Sequence, residues 1–120
     1  MSVVISGTPI TLFCLVRESK TPFKVTLGRD NDVSDLKKII KNEKPNDFAK
    51  INIDNIKLWK LNEPVPSKNI NELREITLQG NNNVTLLVET NDIVDFWAEH
   101  QIPLKKCIHI IVEVIGESKI

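Results

Sequence analysis

The sequence predicts a small α+β domain in which one helix packs on a mixed sheet. Two apolar runs near the ends of the chain, at residues 10–16 and 107–114, have the composition of buried strands. Between them, residues 32–44 carry apolar side chains at helical spacing. The 120 residues are 41% hydrophobic and 27% charged, which excludes a disordered chain and fits one domain spanning residues 1–120.

The first part of the chain predicts a β-hairpin. Residues 10–16 are apolar on both faces of the predicted strand. Residues 23–27 alternate apolar and polar side chains, as a half-buried strand does. The polar stretch 17–22 between the two runs predicts the turn that joins them.

A helix is predicted to follow the hairpin. Asp32 suits its N-cap, and Asp35 lies in the first turn, where an acidic side chain is favourable. The helix is expected to end before Pro45. Its apolar stripe consists of Val33, Leu36, Ile39 and Ile40. The lysines that lie largely off this stripe are Lys37, Lys38, Lys41 and Lys44.

The middle of the chain predicts an interior strand and shorter elements. Residues 54–61 are apolar on both faces of a strand, which is typical of a strand covered on two sides. Pro64 and Pro66 are expected to end it. A short helical turn is predicted within residues 69–76, and a further strand is predicted at residues 84–89.

The last third of the chain predicts a short helix and a final strand. Residues 90–92 provide an N-terminal cap for the helix, whose apolar side comprises Ile93, Phe96 and Trp97. Pro103 is expected to end this segment. The final strand, 107–114, is expected to line one face with Ile108, Ile110, Val112 and Val114.

The order of these elements is that of the ubiquitin-like β-grasp fold. In that fold a hairpin wraps around one helix, and a late strand returns to lie parallel to the first strand. The first and last strands then occupy the centre of the sheet, which agrees with their being the most apolar strands of this chain. The second strand, residues 23–27, is expected to form an exposed edge of the sheet.

Composition and motifs argue against several functions. Lys plus Arg and Asp plus Glu each number 16, so no basic excess favours nucleic acid as a partner. No apolar run is long enough to cross a membrane. The first seven residues lack the basic region of a conventional signal peptide. No catalytic motif is present, and neither an enzymatic activity nor a cofactor is predicted.

Cysteine and histidine spacing does not favour a metal site. Cys107 and His109 form one pair of possible zinc ligands, but the second closely spaced pair that zinc sites usually have is missing. Cys14 and Cys107 are expected to be buried free thiols, with a disulfide between the first and last strands as the alternative.

Three motif stretches resemble the N-terminal domain of Crinkler proteins, an effector family of oomycetes and some fungi, and residues 33–40 resemble the helix that follows the first motif in that family. The first is similar to the leucine-phenylalanine-leucine-alanine-lysine motif and contains Leu12, Phe13 and Leu15. The second is similar to an aspartate-leucine-x-leucine-tryptophan-lysine stretch and contains Leu58 and Trp59. The third is similar to the histidine-led motif that closes this N-terminal domain and contains His109, Ile110 and Val112. The ending Cys14-Leu15-Val16 replaces alanine-lysine, as in the fungal form.

This resemblance implies a ubiquitin-like N-terminal domain that is secreted and delivered into a host cell, with the host nucleus as a destination. It also implies that any catalytic activity belongs to a separate C-terminal domain. The leading hypothesis is therefore an N-terminal module without enzymatic activity that binds a host or effector protein or forms a homodimer. The alternatives are an intracellular ubiquitin-like adaptor and a cryptic enzyme or nuclease.

The predicted binding residues lie on the sheet edge, on the helix and at one tryptophan. Phe23 and Val25 represent the edge strand, through which strand addition would produce the homodimer. On the helix they are Lys37, Lys38 and Lys41, although a solvated helix face is the simpler explanation of these lysines. Trp97 is included on the condition that its ring is exposed.

Overall fold

The computed structural model describes residues 3–17, 21–44, 48, 50–73 and 76–115. Its described residues include the helix α1 (Val33–Glu43), and stretches of 3-10 helix cover Ile53–Asn55, Ser67–Leu73 and Ile93–Asp95. Its strands are β1 (Pro9–Val16), β2 (Phe23–Gly28), β3 (Ile56–Pro66), β4 (Val84–Leu86) and β5 (Cys107–Val114).

The five strands form one mixed sheet in the order β2-β1-β5-β3-β4. β1 and β5 are parallel, with Cys14 opposite Ile110, and the other neighbours are antiparallel. This topology confirms the predicted ubiquitin-like β-grasp, including the parallel first and last strands. β5 occupies the centre of the sheet, and β3 lies beside it as an interior strand. β2 is an edge strand, as predicted.

The helix follows its sequence signals closely. The Asp32 side chain accepts a hydrogen bond of 2.8 Å from the backbone N–H of Asp35, which confirms the predicted N-cap. The helix ends at Glu43, before Pro45 as predicted. Its apolar stripe packs on one face of the sheet in a helix-side core, whose central members include Leu12, Val25, Leu36, Ile40, Leu58, Ile110 and Val112.

A second core covers the opposite face of the sheet. Leu15 and Trp59 from the sheet pack there against Leu73 and Leu78, which belong to the long connection between β3 and β4. Residues 107–112 of β5 are therefore buried on both sides, which explains why all of them except His109 are apolar. Ile108 packs in this second core. The prediction that it shares one face with Ile110, Val112 and Val114 is thus wrong at Ile108, which lies beside a register shift in the pairing of β3 with β5.

Two strand predictions are corrected by the structure. β3 does not end before Pro64 but continues to Pro66, because the chain bulges between Lys60 and Val65 and then resumes pairing with β5. A bulge accommodates prolines, which lack the N–H that a regular ladder needs. β4 ends at Leu86 rather than at residue 89, since Leu87 turns its side chain into the helix-side core.

Candidate interaction surfaces

Most of the residues that carry the family resemblance belong to the two cores. Leu12, Leu58, Ile110 and Val112 lie in the helix-side core, and Leu15 and Trp59 lie in the second core. The indole Nε1 of Trp59 donates a hydrogen bond of 2.9 Å to Glu113 Oε1. These motif residues therefore specify the fold. Phe13 and His109 differ from them, because both line a cavity that opens to solvent.

His109 joins β1 to β5 at the point where the two strands separate. Its Nδ1 accepts a hydrogen bond of 3.0 Å from the backbone N–H of Phe13, and its Nε2 lies 2.9 Å from the carbonyl oxygen of Leu104. This arrangement requires a neutral ring with the proton on Nε2. Burial is the main cause that lowers the pKa of His109. The hydrogen bond to Leu104 raises this pKa, and the positive charge of Lys60 lowers it further.

The lowered pKa of His109 predicts a pH-dependent stability. The unfolded chain takes up a proton near the ordinary histidine value of about 6.5, whereas the folded chain resists protonation until a lower pH. The free energy of unfolding is therefore expected to decrease as the pH falls from about 7 toward the pKa of folded His109. Urea unfolding between about pH 5 and 8 measures this slope.

A matched variant isolates the contribution of His109. His109→Asn keeps an acceptor oxygen at the position of Nδ1 but has no group that titrates in this range. The free energy of unfolding of His109→Asn should decrease less steeply with falling pH than that of the natural chain. His100→Asn serves as the control, because His100 is exposed. Equal slopes for His109→Asn and the natural chain would contradict this assignment.

A cavity of about 680 Å³ lies between the first half of β1 and the segment 99–106 that leads into β5. We call it the β1 groove. It forms because β1 pairs with β5 only from Cys14 onward. Ile102 and Leu104 on its outer wall are 83% and 59% exposed. In the sequence, the only sign of this wall is a pair of apolar residues around Pro103 in a loop.

Arg29 fixes the shape of the groove from inside. The residue is only 4% exposed, and its guanidinium donates hydrogen bonds to the carbonyl oxygens of Pro9, Trp97, Ala98 and Gln101. The side chain thus ties β1 to the segment after the last 3-10 helix. Nothing in the polar turn around Arg29 distinguishes this arginine from a solvated one, so sequence reasoning missed it.

The exposed edge at β2 offers backbone groups rather than apolar side chains. Val25, predicted as part of the partner-binding edge strand, has its side chain buried in the helix-side core and does not offer it to a partner. Phe23 is half-buried, and the ammonium of Lys44 lies 5.3 Å from the centre of its ring. In the register of the hairpin, Phe23, Val25 and Leu27 face β1 with their N–H and C=O groups. Lys24 and Thr26 direct theirs outward.

The helix lysines divide into one buried and two accessible residues. Lys37 is buried and forms an ion pair of 3.2 Å with Glu89, so its prediction as a partner-binding or solvated residue is corrected. The segment after β4 covers this side of the helix, which a helical pattern alone does not show. Lys38 is exposed and Lys41 is half-buried. Both line a separate cavity of about 570 Å³ beside Val3 and Val4.

Trp97 is predicted to bind a partner only if its ring is exposed, and the ring is not exposed. It is 6% exposed and packs in the helix-side core, because the short helix before it turns the ring inward. The ammonium of Lys60 lies 5.5 Å from the centre of the ring, and burial lowers the pKa of this lysine. Trp97 is therefore a core residue and not a binding residue.

The two cysteines are buried side chains and form no disulfide bond. Cys14 and Cys107 are both buried and free, so the disulfide alternative is not realised. Burial raises the pKa of the Cys14 thiol, which keeps it protonated and unreactive. Within the described parts of the chain, no group of three or more histidine, cysteine or acidic side chains is arranged to hold a metal ion. No helix among those residues is long and apolar enough to cross a bilayer.

Comparison with known proteins gives one consistent result. The sequence profile of the family described as "Crinkler effector protein N-terminal domain" matches residues 10–113, from β1 to β5. A relative named Crinkler effector protein 1, from Rhizophagus irregularis, is 31% identical over 106 residues. The match covers 87% of this chain and 21% of that protein, so the chain spans about a fifth of the relative's length. The chain belongs to the family of Crinkler effector N-terminal domains.

Proposed function

We propose that this chain is an N-terminal module without catalytic activity, which takes part in delivery of an effector into host cells and associates with proteins through the edge of its sheet. The observation that carries the proposal is the outer edge of β2, which pairs with no other described strand and where Lys24 and Thr26 direct backbone groups outward. Such an edge is a template for strand addition. The buried side chains of β2, including Val25 and Leu27, already pack in the helix-side core.

A second copy of the chain is the partner that this edge fits best. An antiparallel pairing centred on Val25 places Lys24 of one copy opposite Thr26 of the other. Each such pair exchanges two backbone hydrogen bonds, and no lysine faces a lysine. The resulting interface is a symmetric dimer with one continuous sheet.

Thr26→Pro tests this dimer. The proline removes an outward N–H without removing a hydrogen bond between β1 and β2, because Thr26 faces away from β1. We expect dimer affinity to weaken by about tenfold or more, since two copies of the substitution remove two hydrogen bonds and distort the edge. Light scattering after gel filtration, across a concentration series, measures the change.

Thr26→Val provides the matched control for this experiment. It removes the same hydroxyl contact with Thr11, a distance of 3.0 Å, but keeps the backbone N–H. Its dimer affinity should stay close to that of the natural chain. Equal weakening by valine and proline would show that the side chain, and not the edge, is responsible. A strict monomer for the natural chain at high concentration would overturn the dimer itself.

The delivery part of the proposal rests on family membership, on the relative being named an effector and on the chain spanning a fifth of that protein. We infer that this N-terminal domain precedes the part of the effector that acts in the host. A fluorescent protein fused after residue 120 and expressed in the producing organism tests this. Signal inside host cells, and in their nuclei, is the expected result. Signal confined to the producer's cytosol would instead favour an intracellular ubiquitin-like adaptor.

A further inference from the structure

We propose that the β1 groove binds an extended, acidic segment of another protein, which adds to the first half of β1 as a short strand. The site lies on the side of β1 that faces β5, whereas β2 lies on its other side. Its backbone groups are therefore different from those of the proposed dimer, although the side chain of Lys24 from β2 also lines the groove.

Backbone directions in β1 leave the N–H and C=O of Thr11 available for a strand in the groove. Odd-numbered residues face the β5 side: Phe13 donates its N–H to His109 Nδ1, and Pro9 accepts through its carbonyl from Arg29. Thr11 lies between them and must direct its N–H and C=O the same way. Pairing with β5 starts only at Cys14, and no described strand pairs with Thr11 on this side. These groups are those that an added strand requires.

The walls of the groove suit a peptide with alternating side chains. Ile102 and Leu104 expose large apolar surfaces in the lining of the groove, which also includes Thr11. Phe13 and His109 close one end, with their ring centres 6.2 Å apart. Because Arg29 holds residues 97–101 against β1, the groove exists before a ligand binds, which lowers the entropic cost of binding.

Charge selects the class of peptide. The cationic side chains that line the groove and are exposed are Lys24, Lys105 and Lys106. Glu99 is the acidic residue of the lining, and its carboxylate already accepts a hydrogen bond of 3.1 Å from the Thr8 hydroxyl. The arginine of the lining is occupied by backbone carbonyls. The excess of positive charge favours Asp and Glu in the bound segment and disfavours a second copy of the same groove.

A displayed library of random peptides, about ten residues long, is the probe, because this length can contain a strand of the usual size of about 5–6 residues. Selection on the natural chain should enrich peptides in which Asp or Glu alternates with apolar, β-branched or aromatic residues. Fluorescence anisotropy of the most enriched peptide then gives its affinity for the chain and its variants. No enrichment, or enrichment of basic peptides, would overturn the proposal.

Thr11→Pro is the decisive variant, because it removes the N–H that faces the groove and leaves the hydrogen bonds between β1 and β2 in place. It should weaken the selected peptide by about tenfold, whereas Thr11→Val should stay within about twofold. Neither Thr26→Pro nor Thr26→Val should change peptide affinity. If Thr11→Pro has the same circular dichroism spectrum as the natural chain and binds the peptide equally well, the peptide does not bind by strand addition to β1.

Surface variants keep the test valid if Thr11→Pro fails to fold. Leu104→Asp changes an exposed wall residue, and Val88→Asp changes an apolar residue that is 52% exposed outside the groove. A second groove variant reverses the charge of Lys24 and Lys105 by changing both to glutamate. Its control makes the same change at Lys38 and Lys41 on α1. Each groove variant should weaken the acidic peptide by about tenfold, and each control should leave it within about twofold. Equal effects of groove and control variants would contradict the site.

Discussion

Arg29→Met is expected to lower the free energy of unfolding by about 3 kcal/mol. The guanidinium satisfies four backbone carbonyl oxygens from positions that are part-buried or buried, and methionine can satisfy none of them. Each buried carbonyl that loses its donor costs about 1 kcal/mol, and water entering the site recovers part of this. The sum is large for a domain of this size, whose total stability is about 5–15 kcal/mol.

Urea unfolding followed by circular dichroism measures the effect of Arg29→Met. Lys24→Met is the matched control, because Lys24 is an exposed cation on the same groove, and its loss should change stability by less than about 0.5 kcal/mol. Residues 97–106 should also become more sensitive to proteases in Arg29→Met, since their tie to β1 is gone. A loss below about 1 kcal/mol would show that the four contacts contribute little.

Trp59→Ala is expected to cost about 4 kcal/mol, because the indole fills the second core and its removal leaves a cavity. The same residue anchors the family's tryptophan stretch, so this prediction connects the motif with stability rather than with binding. Trp59→Phe should cost about 1–2 kcal/mol, since it keeps most of the apolar surface but removes the donor to Glu113.

Variants at Glu113 separate the hydrogen bond from the packing of Trp59. Glu113→Gln keeps an acceptor for the indole N–H and should change stability by less than about 1 kcal/mol. The carboxylate also lies 3.8 Å from Arg17, but such a partly exposed ion pair contributes little. If Trp59→Ala costs no more than Trp59→Phe, the second core does not depend on the indole. Thermal and urea unfolding of the natural chain and the three variants decide this.

Short sequence patterns predict those helices and strands whose stabilising contacts lie within one stretch of the chain or follow its regular spacing. The helix stripe and the Asp32 cap lie within one stretch of sequence, and the structure has both. The apolar composition of the first and last strands reflects burial on both faces, which identifies the centre of a sheet from sequence alone. The β-grasp topology follows from these elements and their order.

Short sequence patterns do not show the contacts of a side chain whose partner lies far away in the sequence. Lys37 lies off the apolar stripe, yet Glu89 reaches it across 52 positions of sequence. Arg29 is polar and lies in a turn, yet its side chain meets the carbonyl of Trp97 from 68 positions away. The β1 groove likewise depends on where β5 leaves β1. The sequence therefore indicated the edge of β2 but neither the buried arginine nor the groove.

The most direct test of surface-mediated association is amide hydrogen exchange at β2, measured by nuclear magnetic resonance at low and high protein concentration. The backbone N–H groups of Lys24 and Thr26 point outward in the single chain and form hydrogen bonds in the proposed dimer. We predict fast exchange at low concentration and marked protection at high concentration for these two amides. Val25, which faces β1, should be protected at both. Fast exchange of Lys24 and Thr26 at every concentration would contradict an association through this edge.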